Sequence, residues 1–151
     1  MKSLLILFCV LPCFLFAQQT GEPQNKESMY SDIANTLISF VVSKTPENNI
    51  VFSADNFILD RIPDSYSGKG IEKTARYKPI GKFVGYTWIR IEKFTVYQNK
   101  VFVFAKIQKQ ENDELVDWDH ENSNCKLTYV LNAKEGTYEL VDFQAVKAVM
   151  K

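Results

Sequence analysis

The sequence predicts an α+β roll: an N-terminal helix packed on a curved antiparallel sheet of about four to six strands. Three observations predict it. One amphipathic helical stretch, "SMYSDIANTLISFVVSKTP", precedes everything strand-like. From Gly85 onward the chain is β-rich and falls into two hairpin-like pairs. The first long strand also changes phase midway, an irregularity that curved sheets need.

The chain opens "MKSLLILFCVLPCFLFAQQT". Lys2, an apolar run from Leu4 to Phe16 and the small Ala17 describe a secretory signal peptide over residues 1–17, cut after Ala17. The run falls short of the about 20 apolar residues of a membrane-spanning helix. Cys9 and Cys13 raise a lipoprotein reading, but Pro12 and the apolar residues after Cys13 fit it poorly. An exported product is expected, periplasmic or secreted, with no membrane span after cleavage. Residues 18–27 read as a flexible leader and 28–151 as a single α+β domain. Without Lys2 the chain holds 17 basic and 18 acidic residues, which gives no global pull toward nucleic acid or an anionic membrane. Cys125 is then the sole cysteine, so no internal disulfide can form. Stability must come from apolar burial.

The helix is placed by Tyr30, Ile33, Ala34, Leu37, Ile38 and Val41, spaced three and four apart on one face. Ser28 is the expected N-cap. Lys44 suits the negative C-terminal end, and Pro46 stops continuation. Ile50–Phe52 and Phe57–Leu59 are short apolar runs, read as two strands or as a strand and one helical turn. "PDSYSGKG", 63–70, reads as a loop. Its Gly68-Lys69 pair is no phosphate loop, since Pro63 stands where that loop needs glycine. "GYTWIRIEKFTVYQNKVFVFAKIQKQ" is a hairpin about a "QNK" turn. Ile89 and Ile91 are odd while Phe94 and Val96 are even, which predicts a β-bulge near Glu92-Lys93. The start of the second strand, apolar at both parities over Val101–Phe104, is expected to be buried on both faces. "CKLTYVLN" and "TYELVDFQAV" make a second hairpin. The four long strands form a meander.

This element order resembles the cystatin-like and NTF2-like rolls over most of the mature chain, at the level of element order alone. The resemblance implies a helix held in a curved sheet. Such folds serve enzymes, pocket binders and dimerisation modules, so it implies no site residue.

Two stretches carry candidate chemistry. "DELVDWDHENSNC", 113–125, holds five carboxylates, the single histidine and Trp118. Asp117, Asp119 and Glu121 alternate and form a candidate hard-cation site through oxygen ligands. The EF-hand pattern fails, because Asn122 replaces its glycine. His120 with Asp117 or Asp119 is a candidate base for a metal-dependent hydrolase, with Ser123 or Cys125 nearby. The competing reading is a solvated hairpin loop entering a strand, with Cys125 a small core residue. The second candidate is Tyr86, Trp88, Phe102 and Phe104 with Arg90, placed on the concave face as a ligand pocket. There Arg90 would hold an anionic or polar group. Core filling, or an outward protein-binding face, competes with it. The basic segment Arg61–Lys93 is interleaved with aromatics, a mixture that suits nucleic acid, but export and neutrality argue against that partner.

The resulting expectation is an exported, non-catalytic binding or interaction module of the bacterial cell envelope. It takes no cofactor and binds an unknown small ligand or protein partner. The alternatives are the hydrolase and a protein inhibitor or immunity-type partner, which would bind salt-sensitively.

Overall fold

A computed structural model of the chain describes residues 26–46, 49–75, 77–119 and 121–146. Residues 1–17, read as a signal peptide, with Cys9 and Cys13, residues 18–25 of the expected leader, and His120 lie outside the described residues.

Helix α1 spans Lys26–Lys44. It begins earlier than its sequence boundary, so Ser28 stands in the first turn and does not cap it. The helix ends at Lys44 as the Pro46 signal requires. Met29, Ile33, Ala34, Leu37, Ile38 and Val41 are buried on one face. Beyond it follow β1 (Ile50–Ser53), the helical turn α2 (Asn56–Leu59), β2 (Ser65–Tyr66) and β3 (Lys69–Thr74). A 3-10 turn (Gly81–Phe83) leads to β4 (Thr87–Tyr97) and β5 (Lys100–Glu111). The chain continues through β6 (Glu114–Asp117), β7 (Asn124–Asn132) and β8 (Thr137–Val146).

The sheet order is β2-β3-β1-β4-β5-β7-β8, with β6 paired to the end of β5. The antiparallel meander β4-β5-β7-β8 is present, but an antiparallel roll of four to six strands is not the fold. The sheet is mixed, because β1 runs parallel to both β3 and β4. Parallel neighbours need crossovers, and here they pass over opposite faces. The β1–β3 link carries α2, whose Ile58 and Leu59 join the core beneath α1. The β3–β4 link crosses the other face and lays Phe83 on Val51 and Trp88. All four residues of β1 are therefore buried, which explains its unbroken apolar run.

"PDSYSGKG" is a tight hairpin and not a loop. Ser67 and Gly68 both take positive φ, at 50° and 81°, between paired Tyr66 and Lys69. Its Tyr66 hydroxyl meets the Ser39 hydroxyl on one flank of α1. On the other flank Phe40 packs edge-on against Phe143 of β8, with ring centroids 5.2 Å apart. Both sides of the sheet thus reach the same helix, and the sheet curls round it as a half-barrel. Tyr129 of β7 adds a hydrogen bond from its hydroxyl to Asp32 Oδ2 at 2.8 Å.

The β4 bulge falls where the phase change places it. Ile91 pairs with Ala105 and Lys93 with Phe104, so Glu92 is the extra residue. A second irregularity, at Val141 of β8, also falls on a parity switch, from Tyr138 and Leu140 to Phe143 and Ala145. The start of β5 is buried on one face only. Val101 and Val103 are enclosed, whereas Phe104 on the opposite face is 38% exposed.

Cys125 is a buried core residue on β7. Burial pushes its thiol up to about 12. A neutral thiol is thus favoured by the fold, and that stabilisation is complete below the thiol's ordinary range. It is lost as pH climbs from about 9 toward 12. Cys125→Ala should therefore show a shallower fall of unfolding free energy across that window than the wild type, read by urea titration at each pH.

Candidate functional site

Strand register sets which side chains share the face turned away from α1. After the bulge, Lys93, Thr95 and Tyr97 of β4 point to that outer face. On β5 it takes Phe102, Phe104, Lys106, Gln108 and Gln110, alternate residues of one strand. Lys126 and Thr128 of β7 face Phe104 and Phe102. Gln144 and Asp142 of β8 stand beside them in turn. Trp88 and Arg90, before the bulge, lie on the same face, and Tyr86 packs with Trp88. The five candidate residues Tyr86, Trp88, Arg90, Phe102 and Phe104 thus do share a side of the sheet. It is the outer side and not the concave one, which α1 fills.

The bulge divides this face into two halves. The half before it is covered. Trp88 is fully buried, with Phe83 edge-on at 5.9 Å. Its indole N–H donates to Gln110 Oε1 at 3.1 Å. Gln110, itself buried, also accepts from the Ile80 backbone N–H and donates to the Ile80 and Asn112 carbonyls. One amide therefore staples the β3–β4 crossover to the sheet. Arg90 donates to Gln108 Oε1 at 2.7 Å and lies 5.8 Å from the Tyr77 ring centroid. Its Nε is buried without a partner. Trp88 is structural, and Arg90 marks the boundary.

The half beyond the bulge is open. Phe104 and Phe102 project from alternate positions of β5, about 7 Å apart along the strand. Lys93 and Lys126 flank Phe104 on the neighbouring strands, about 10 Å apart. Lys126 Nζ lies 5.5 Å from the Phe102 ring centroid. Tyr97, 63% exposed, stands at the end of β4 beside Lys100. Among the described residues, Lys93, Lys100 and Lys126 have no carboxylate within salt-bridge distance. Asp142 and Glu139 stand at the β8 margin of this half, while Glu92 and Asp117, paired with Arg90 and Lys106, lie at the boundary with the covered half.

The acidic stretch is arranged differently from its sequence reading. Its first part is strand β6, and only the remainder is a turn. Asp117 pairs with Lys106 at 2.9 Å. The Asp119 carboxylate accepts from the Glu121 backbone N–H at 3.0 Å and from Asn122 Nδ2 at 2.6 Å. Glu121 is exposed. Asp117 and Asp119 are thus engaged in holding the turn. No group of three His, Cys, Asp or Glu side chains is placed to hold a metal ion among the described residues. Ser123 is buried and its hydroxyl donates to the Asp119 carbonyl. Cys125 is enclosed, so neither residue is presented as a nucleophile. Trp118 turns inward, against Phe40.

Sequence reasoning missed Lys93 and Lys126 as neighbours of Phe104, and missed Gln110 entirely. The signal for Gln110 was present, since it shares the parity of Phe102 and Phe104. Among the described residues, no helix is long and apolar enough to cross a membrane. No family model, curated protein or solved structure matches the chain.

Proposed function

We propose that the protein is an exported, non-catalytic binding module of the cell envelope that takes its partner on the open half of the outer sheet face. The exposed phenyl ring of Phe104, set between two lysines that pair with no carboxylate among the described residues, carries this reading. An apolar ring costs free energy in water, and lysines on a folded surface gain little from one another. A partner that covers the ring and neutralises the cations removes both penalties. The N-terminal signal pattern supports export, and the balanced charge of the mature chain supports a local partner site over bulk electrostatic adhesion.

Native mass spectrometry of the protein purified gently from its own envelope tests this. Wild type should carry extra mass that Phe104→Ala and Lys126→Glu lose while keeping wild-type melting behaviour. Bare chains throughout, or extra mass indifferent to both substitutions, would overturn the reading.

A further inference from the structure

We propose that the open half of the outer face is a platform for an acidic polysaccharide, a chain of sugar rings bearing carboxylates. This rests on the binding-module reading above and assigns its ligand class. Phe104 and Phe102 offer two apolar surfaces on one strand, and the C–H face of a pyranose ring is an apolar surface of similar size. Lys93, Lys126 and Lys100 spread positive charge over a patch about 10 Å by 14 Å, since Lys100 lies four residues along β5 from Phe104. A single small anion cannot reach all three, whereas a repeating anion can. Thr95, beside Phe102 in the register, adds a hydroxyl that suits sugar hydroxyls.

The topology argues against an extended peptide here. The backbones of β5 and β7 are paired with strands on both sides here, whereas β4 beyond Arg90 pairs with β5 alone among the described residues. Strand addition, the common route to peptide recognition on a sheet, is therefore closed across β5 and β7, which carry Phe104 and Lys126, and is confined to the β4 edge beyond Arg90. Asp142 and Glu139 on β8 repel an anionic chain and confine it to β4, β5 and β7. Single-stranded nucleic acid shares the chemistry of stacking plus charge, and so becomes a competing outcome.

The test is isothermal titration of the purified chain at low salt with four polymers: polygalacturonate, dextran, polyglutamate and oligothymidylate. Polygalacturonate should bind, with affinity falling as salt rises. Dextran, which lacks charge, and polyglutamate, which lacks rings, should each bind at least about tenfold more weakly, a difference of about 1.4 kcal/mol. Phe104→Ala and Lys126→Glu should each weaken polygalacturonate binding by a similar factor. Lys134→Glu, in the exposed β7–β8 turn, should leave it unchanged. Equal binding of polyglutamate would reduce the site to charge alone and overturn the proposal. Tighter binding of oligothymidylate would assign the face to nucleic acid and overturn it too. If no polymer binds while native mass spectra still show Phe104-dependent mass, the ligand class is wrong and the binding face stands.

Discussion

Trp88→Ala is expected to lower the unfolding free energy by about 3–5 kcal/mol. The side chain is fully enclosed between the sheet and the β3–β4 crossover, packed with Val51 and Phe83. Its loss leaves a cavity beneath the 3-10 turn and removes one donor from Gln110 Oε1. Phe104→Ala, on the same face of the same sheet, should cost about 1 kcal/mol or less, because that ring is already partly in water. Urea denaturation of the two variants side by side measures the contrast. Comparable losses would mean that the face is covered throughout and that no open half exists.

Gln110→Leu should cost about 2–4 kcal/mol, although it replaces a polar residue by an apolar one of similar size. The amide makes four hydrogen bonds, two accepted and two donated, and none reaches solvent. Leucine would leave the Trp88 N–H and the Ile80 N–H buried without acceptors. The damage should be local before it is global. Amides of Phe83 and Tyr86, bonded within the crossover turn, should lose hydrogen-exchange protection ahead of the β5–β7 ladder. Combining Trp88→Ala with Gln110→Leu should cost less than the sum, since the two share a bond. Strict additivity would show that Gln110 does not tie Trp88 to the crossover.

The parts of the fold legible in the sequence were those written in short-range periodicity. Helix α1 announced itself through Ile33, Leu37 and Val41, and the β4 bulge through the parity switch between Ile91 and Phe94. The parallel unit was not legible, because Ile50 pairs with Ile71 on one side and Thr87 on the other. No local pattern specifies such distant partners. The unbroken apolar run of β1 was a sign of two covered faces, but four residues are too few to separate a strand from a helical turn. The candidate site was half legible for the same reason. Phe102, Phe104, Trp88 and Arg90 share one side of the sheet, but it is the outer side and not the concave one expected of them. Which of them meets solvent depends on where residues 77–86 cross, and that follows from the parallel pairing.

The position of β1 also sets an order of events during folding. The β4–β5 hairpin closes Tyr97 on Lys100 across two residues, and β7–β8 closes across a short turn. Strand β1 must await Thr87, 37 positions after Ile50, before its second flank can pair. Closing the longer loop is slower and costs more entropy, so β1 joins late. Until residues through Trp88 have arrived, Ile50, Val51 and Phe52 form an apolar segment with open edges, attractive to other chains. The finished molecule hides this segment completely, and the growing chain presents it almost at once after α1.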